Sequence, residues 1–392
     1  MKKLLLFGTM LVAFICMSCN GSSSRGDHRK YVLVEVEGKD GWSVMDSNGD
    51  LLEGVTISKD RSVSEIYDDV LWIDNERERF HLYSLSSLDK PLSEDEWYIV
   101  THFAAGRALA RREGSKEFNI IDVKGNIVKT LSEDFTYVEQ FTEDGVAYFE
   151  KGKDRDRLKG LIDVNGDVIL EGHYRNLFPP SDNAVIFTNE ELTMMEVCDL
   201  KGNLLFEIDP LEYHARTFGD MHVGFTEGLL PLPLHDAPTT WAFVDKSGKR
   251  QFTLENIGRP RYSGYKDGYA VLTDGSTLKD CSIIDKKGNI TFSTKGEFRL
   301  TNIGNGYFIT EGHGGYYSND QEIIIDAKGN EVCSLAGYRV AGYNETLGEN
   351  IILLKQDGHY GLVDMKGQQV NKTPIVRTTK NWNFRGVQER LP

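Results

Sequence analysis

Residues 360–367 read Tyr360-Gly361-Leu362-Val363-Asp364-Met365-Lys366-Gly367, so that two apolar residues precede the pattern Asp-x-x-Gly. Asp at the first and Gly at the fourth position suit a type I turn followed by a left-handed residue, a common three-residue connection in β-hairpins. The pattern therefore predicts a strand on each side of the turn. Because neighbouring strand residues face opposite sides, the apolar pair predicts that the strand before the turn is buried on both faces.

The pattern recurs along the chain, and its Asp and Gly residues are predicted to have a structural role in the turns. These residues are Asp46 and Gly49, Asp122 and Gly125, Asp163 and Gly166, Asp199 and Gly202, Asp245 and Gly248, Asp285 and Gly288, Asp326 and Gly329, and Asp364 and Gly367. Successive Asp residues are 76, 41, 36, 46, 40, 41 and 38 positions apart, and a degenerate copy around His81-Leu82-Tyr83 splits the first interval into 37 and 39. The sequence thus contains eight clear units and one eroded unit. A period near 40 residues indicates a repeat architecture.

Each unit contains further strand-like runs of apolar and aromatic residues, as at 135–138 and 146–149. Four short strands in about 40 residues are typical of a propeller blade. The predicted fold is therefore all-β, a β-propeller-like array of about nine repeats, with an open β-solenoid or superhelix as the alternative. The apolar pair is present in the first unit and in the last, whereas the terminal units of an open array usually form polar caps. We therefore predict that the last repeat contacts the first.

An aromatic residue four positions before the Asp and a small residue three positions before it, as in Tyr360-Gly361, resemble the WG repeat family. Trp42-Ser43, Phe118-Asn119 and Trp241-Ala242 keep this pairing, whereas Lys159-Gly160 keeps only the small residue and Met195-Glu196 departs from it. The resemblance covers residues 31–392, which are predicted to form one repeat domain. It implies a type of repeat and no particular activity, because repeat proteins are scaffolds for unrelated functions.

The N-terminal segment has the features of a signal peptide at 1–18, with Lys2 and Lys3 before an apolar run that is too short to span a bilayer. Ser18-Cys19, followed by polar residues, resembles the lipobox of bacterial lipoproteins of the Bacteroides type. The resemblance implies lipidation of Cys19 and a flexible tether at 19–30; the alternative is an ordinary secretory peptide. Surface-exported lipoproteins of this type usually carry acidic residues just after the Cys, but here the first acid is Asp27. The expected location is therefore the cell envelope, with an outer-membrane anchor that faces the periplasm.

Charge limits the classes of partner. The chain has 45 Lys and Arg against 60 Asp and Glu, a net charge of −15, which disfavours nucleic acid and anionic membrane surfaces. Membrane contact is therefore expected through the lipid anchor only. Cys198, Cys281 and Cys333 lie in or beside apolar strand-like runs and are predicted to be core thiols.

Two irregular segments contain candidate binding residues. His214, Asp220 and His222 lie in the longest full repeat interval, and His313 and Tyr316 lie in a Gly-rich segment. The alternative interpretation of both segments is an ordinary exposed loop, since no fixed ligand spacing is present. The turn aspartates are not expected to bind calcium, which takes six to eight oxygens, because their side chains can bond their own backbone. No metal and no cofactor are predicted.

The preferred function is a non-catalytic, lipid-anchored module that binds a protein, peptide or glycan, because the recurring residues all have structural roles and leave function to irregular loops. The rival is a glycan-acting propeller enzyme with paired carboxylates. A purely structural or accessory role is the third possibility. An enzyme should place two carboxylates together with at least one raised pKa, whereas a binding module should present an aromatic or flat face.

Overall fold

The computed structural model describes residues 30–75, 77–153, 156–189, 195–213, 224–237, 239–255, 261–273, 280–296, 298–311, 323–335, 337–339, 345–355 and 358–378. The regular elements in these ranges are 33 β-strands, with no α-helix among them. In the same ranges, no helix is long and apolar enough to cross a membrane.

The strands follow the repeat units in chain order. Unit 1 contains β1 (Tyr31–Val36), β2 (Trp42–Asp46) and β3 (Leu51–Ile57). Unit 2 contains β4 (Val70–Asp74) and β5 (Phe80–Ser84). Unit 3 contains β6 (Ile99–Val100), β7 (Arg107–Arg111), β8 (Asn119–Asp122) and β9 (Ile127–Thr130). Unit 4 contains β10 (Phe135–Val138), β11 (Val146–Lys151), β12 (Leu158–Asp163) and β13 (Val168–Gly172). Unit 5 contains β14 (Tyr174–Leu177), β15 (Ala184–Asn189), β16 (Met195–Asp199) and β17 (Leu204–Ile208). Unit 6 contains β18 (Leu230–Pro233), β19 (Trp241–Val244) and β20 (Arg250–Leu254).

The remaining strands belong to units 7 to 9. Unit 7 contains β21 (Arg261–Tyr262), β22 (Tyr269–Thr273), β23 (Cys281–Asp285) and β24 (Ile290–Ser293). Unit 8 contains β25 (Arg299–Gly304), β26 (Tyr307–Glu311), β27 (Ile323–Asp326) and β28 (Glu331–Ser334). Unit 9 contains β29 (Tyr338–Arg339), β30 (Glu345–Leu347), β31 (Asn350–Lys355) and β32 (Tyr360–Val363), and the last described strand is β33 (Ile375–Thr378).

Seven small antiparallel sheets, formed by units 2 to 8, ring an axis in the manner of a β-propeller. Units 1 and 9 share one eight-stranded sheet, because β33 pairs with β32 on one side and with β1 on the other. Val34 pairs with Thr378 and Glu35 pairs with Arg377, so β33 takes the place of a first strand in the sheet of unit 1. The predicted all-β, propeller-like fold and the contact between the last and first repeats are confirmed, and the open superhelix does not describe this chain.

Nine apolar clusters fill the junctions between units, and strand alternation assigns each side chain to one of them. Ile120 packs toward unit 4, whereas its neighbour Ile121 packs toward unit 2. The predicted burial of this strand on both faces is therefore confirmed. One cluster joins Met45 of unit 1 to Leu362 of unit 9, a junction that exists only in a closed ring.

The Asp-x-x-Gly turns share one hydrogen-bond pattern, which the turn after β16 illustrates. The Gly202 N–H donates to the Asp199 carbonyl at 3.0 Å, and Asp199 Oδ1 accepts the N–H groups of Lys201 at 2.8 Å and Asn203 at 2.9 Å. The Asn203 side chain donates to Asp199 Oδ2 at 2.9 Å. These internal donors account for the aspartate without a bound cation.

The eroded unit retains this turn in a different chemical form. The Ser87 N–H donates to the Ser84 carbonyl at 3.0 Å, and the Ser84 hydroxyl accepts the Ser86 N–H at 3.3 Å. Ser84 therefore takes the place of Asp, one residue after Tyr83, and a hydroxyl replaces the carboxylate as acceptor.

The turns between the first and second strands of several units form a second set of contacts. Asp267 and Gly268 both have positive φ, 52° and 85°, as a two-residue hairpin turn requires. The carboxylate of one turn accepts an N–H of the turn in the next unit: Glu227 from Gly268 at 3.0 Å, and Asp267 from Asn305 at 2.7 Å. These bonds fix how neighbouring units stack around the ring.

Loss of the turn carboxylate at Asp199 should destabilise the fold in a pH-dependent way. The Asn203 side-chain hydrogen bond, followed by the backbone donors, holds the pKa of Asp199 below its ordinary value. Such a carboxyl contributes stability above its unfolded-state pKa of about 3.9, and the contribution is lost as the pH falls through the folded value. We expect Asp199→Asn to lower the free energy of unfolding at neutral pH, by an amount that shrinks as the pH approaches about 3. Urea titrations across this range measure it, with Glu53→Gln as a control for the loss of one charge; a pH-independent difference would contradict it.

Candidate functional site

The binding residues predicted from the sequence, His214, Asp220, His222, His313 and Tyr316, lie outside the described residues, as does Cys19. Among the residues that are described, no group of three or more His, Cys, Asp and Glu side chains is placed to hold a metal ion. Among the described residues, the candidate site lies at a different place, the junction between units 4 and 5.

Among the described residues, this junction has the fewest fully buried apolar side chains of the nine. Its described buried members are four, Leu161, Val185, Phe187 and Cys198, whereas each of the other clusters has seven to eleven. Tyr148 and Tyr174 are partly buried against it. Two amphipathic tyrosines therefore lie beside a small set of fully buried apolar side chains at this junction.

The pairing of β10 with β11 brings two tyrosines and two glutamates to one face of this hairpin. Tyr137 lies opposite Glu150, and the Glu139 N–H donates to the Tyr148 carbonyl at 2.9 Å, which places Glu139 opposite Tyr148. Their neighbours on both strands, including Phe149, pack into the cluster toward unit 3. By alternation, Tyr137, Glu139, Tyr148 and Glu150 face unit 5.

Hydrogen bonds join these groups into pairs. The Tyr137 hydroxyl donates to Glu139 Oε1 at 3.2 Å, and the Tyr148 hydroxyl donates to Glu150 Oε1 at 2.8 Å. Arg157 Nη1 donates to the other oxygen of Glu150 at 2.9 Å. The two tyrosine rings meet edge to face, with centroids 6.1 Å apart. We call Tyr137, Glu139, Tyr148, Glu150 and Arg157 the tyrosine–glutamate cluster.

The electrostatics of the cluster are set by desolvation. Desolvation raises the pKa of Glu139; the Tyr137 hydrogen bond opposes this effect, and the negative charge of Glu150 adds to it. Glu139 nevertheless has exposed surface. Protein atoms around Glu139 therefore desolvate its carboxylate in part, while part of the side chain stays accessible to water. Desolvation, and then the hydrogen bond to Glu150, raise the pKa of Tyr148, so its hydroxyl stays protonated and remains a donor.

Unit 5 contributes an aromatic and apolar wall. The Tyr174 ring lies 4.5 Å from the Phe187 ring, measured between centroids. Burial raises the pKa of Cys198 to about 11, with smaller effects of Glu196 and Asp199. The thiol is therefore protonated at neutral pH and is an inert core group, not a nucleophile. Cys281 is also buried, as predicted, whereas Cys333 is only half-buried.

A second polar cluster lies between units 2 and 3 and has a structural explanation. The Arg79 guanidinium lies 4.9 Å from the Tyr98 ring centroid and pairs with Glu113, and Arg112 lies 5.2 Å from the Trp97 ring centroid. Arg112 also pairs with Asp95 at 2.6 Å. These interactions hold the eroded unit against unit 3. Among its described residues, the eroded unit has only the two strands β4 and β5 in its sheet.

The sequence contained one signal for the tyrosine–glutamate cluster. Tyr137-x-Glu139 and Tyr148-x-Glu150 have the two-residue spacing of one strand face, on two runs that the repeat pattern already predicts as strands. The pairing register and the position of Arg157 became evident only from the structure.

No protein-family model and no curated protein matches the chain. A crystal structure of the eukaryotic initiation factor is similar in fold, with a TM-score of 0.58 at 10% sequence identity over 89% of this chain and 96% of that chain. The computationally designed Ika8 protein (TM-score 0.41, 14% identity, 73% of this chain and 88% of that chain) is also similar. So is BamB from Moraxella catarrhalis (TM-score 0.39, 13% identity, 71% of this chain and 86% of that chain). The first of these likenesses shows the propeller fold alone.

Proposed function

We propose that this protein is a lipid-anchored β-repeat module of the cell envelope that binds a glycan, with the tyrosine–glutamate cluster as its contact site. The observation that carries the proposal is the placement of two tyrosines and two glutamates on one face of the β10–β11 hairpin. They face the junction whose described apolar core is the smallest.

The chemistry of these groups suits a sugar. Aromatic rings pack against the apolar C–H faces of pyranoses, and carboxylates accept hydrogen bonds from hydroxyl groups. Arg157 adds donors beside Glu150. The net charge of −15 disfavours polyanionic ligands.

Substitutions at Glu150 should weaken binding without unfolding the protein. Glu150→Gln keeps the shape of the side chain and loses a charge-assisted acceptor, so we expect about a 10-fold loss of affinity for a bound oligosaccharide. Isothermal titration of the full chain with an oligomer of β-1,4-linked N-acetylglucosamine, followed by a wider set of neutral oligosaccharides, measures the loss. The matched control is Glu207→Gln on β17, an exposed glutamate of unit 5 outside the cluster. Equal affinity of Glu150→Gln and Glu207→Gln would remove the cluster from the proposal, and no binding of any oligosaccharide would refute glycan recognition.

One observation favours a second function, hydrolysis of a glycan by paired carboxylates. Desolvation raises the pKa of Glu139, and Glu150 lies on the same face of the β10–β11 hairpin, as a general acid and a second catalytic carboxylate would. A hydrolase would release new reducing ends from the bound oligosaccharide. Glu139→Gln would then lower turnover by about 100-fold or more while binding persists. Binding without new reducing ends would leave the non-catalytic module as the function.

The anchor is tested separately, because Cys19 lies outside the described residues. If Cys19 accepts a lipid, Cys19→Ser should yield an unprocessed or soluble form instead of a membrane-associated one. Fractionation and mass spectrometry of the wild type and Cys19→Ser decide this, with Cys16→Ser as the matched control that should remain processed and lipidated. A correctly processed chain that stays in the membrane fraction without a lipid would contradict the anchor. Protease accessibility of intact cells then distinguishes the proposed periplasm-facing position from outward display.

A further inference from the structure

The two glutamates of the tyrosine–glutamate cluster differ in their charge partners. Glu150 is paired with Arg157 at 2.9 Å. Glu139 has no ion pair with a basic side chain in the part of the chain that the structure describes, and its hydrogen-bond donor is the neutral Tyr137 hydroxyl. The nearby lysines are engaged elsewhere: Lys151 pairs with Glu171 at 3.4 Å, and Lys159 donates to the Arg175 carbonyl at 2.9 Å.

An accessible carboxylate without a positive partner favours a cation over a neutral group. The rings beside it add to this preference, because the faces of Tyr137 and Tyr148 carry negative electrostatic potential. Their edge-to-face arrangement leaves the two ring planes at 62° to each other, and ring faces in different planes can contact one small cation from two directions. The Arg157 guanidinium already pairs with Glu150, so Glu139 is the carboxylate of the cluster that a positive charge on a ligand would pair with.

We infer that the tyrosine–glutamate cluster recognises an ammonium group at Glu139, and that its ligand is a glycan whose sugars carry free amines. This inference rests on the proposed function, since it specifies the class of glycan bound at the same site. An N-acetylated sugar presents a neutral amide there, which gives a weaker hydrogen bond to a carboxylate than an ammonium does.

The test compares two probes that share one backbone. They are a β-1,4-linked tetramer of glucosamine and the same tetramer fully N-acetylated, each titrated into the full chain at a pH where the amines are charged. We expect the glucosamine tetramer to bind at least about 10-fold more tightly. Glu139→Gln should reduce this preference to about 2-fold or less, whatever its effect on the affinity for the N-acetylated tetramer, and Glu207→Gln should leave the preference unchanged. Thermal unfolding of each variant confirms that it is folded.

The outcomes separate the two ideas. Equal affinity for both tetramers, or a preference that survives in Glu139→Gln, overturns the ammonium inference and leaves glycan binding standing. Binding of neither tetramer nor any other oligosaccharide overturns the proposed function. If trilysine binds with dependence on Glu139 and no glucosamine tetramer binds, the amine belongs to a peptide, and the inference about an amino sugar fails.

Discussion

A chain that ends at Thr373 is expected to lose most of its stability, because it lacks β33. Ile375 is fully buried in the cluster between units 9 and 1, and Thr378 is 2% exposed. Burying an isoleucine contributes about 2 kcal/mol, and about three net hydrogen bonds across the lost pairing with β1 contribute about 1 kcal/mol each. The sum of about 5 kcal/mol is comparable with the whole free energy of unfolding of many domains. Urea unfolding followed by tryptophan fluorescence measures the loss.

The matched control is a chain that ends at Thr378, which keeps all of β33. It should unfold at a higher urea concentration than the chain that ends at Thr373, because it retains the pairing of β33 with β1. Small-angle X-ray scattering adds a measurement of shape, since the shorter chain should have a larger radius of gyration if the ring opens. Equal urea midpoints for the two truncated chains would show that β33 does not hold the ring closed.

Replacing Gly49 with alanine should have the second large effect, because this turn glycine has two separate requirements. Its φ of +77° belongs to the left-handed region, which costs alanine about 1–2 kcal/mol. A Cβ at Gly49 would also lie 2.7 Å from the Cα of Asn371, in the backbone that leads into β33. Backbone cannot rotate away as a side chain can, so overpacking adds about 1–3 kcal/mol.

Gly54 provides the comparison within the same unit. Its φ is +72°, and a Cβ there would have nothing within 4 Å. Gly54→Ala should therefore cost only the conformational part, about 1–2 kcal/mol, and the difference between the two variants in urea unfolding isolates the contact between units. If Gly49→Ala is no worse than Gly54→Ala, the close approach of the turn to Asn371 has no energetic weight.

The parts of the fold that the sequence predicts are those in which local chemistry repeats. Asp285 and Gly288 define a hairpin through their own backbone preferences, and Ile283 and Ile284 indicate two buried faces because strands alternate. Neither inference needs knowledge of distant contacts, and the two together are enough to predict an array of nine stacked units. The departure at Tyr83 shows the limit of this approach: the sequence located the eroded turn to within one residue, but a serine hydroxyl had replaced its carboxylate.

Other features depended on contacts between distant segments. Pairs such as Asp267-Gly268 are recognisable as turns, but the hydrogen bond from Asn305 to Asp267 joins residues 38 positions apart and follows from how units stack. The role of β33 could not be predicted from its four residues, because its partner β1 lies at the opposite end of the described chain. The candidate site is of the same kind, since Tyr137 and Glu150 become neighbours only through a register that includes a bulge.

The pairing of β33 with β1 determines where the chain termini can be joined and where new termini can be introduced. In units 7 and 8, a two-residue turn joins the first strand to the second, whereas in unit 1 those strands are β33 and β1, and no described turn links them. Thr378 pairs with Val34, three residues into β1, so the two chain segments meet where the other units have a hairpin. A short linker across this point would make the backbone circular, and new termini could then be cut at a turn such as Asp267-Gly268. Circular permutants of this protein should therefore form the same ring, because a closed ring does not depend on which unit comes first in the chain.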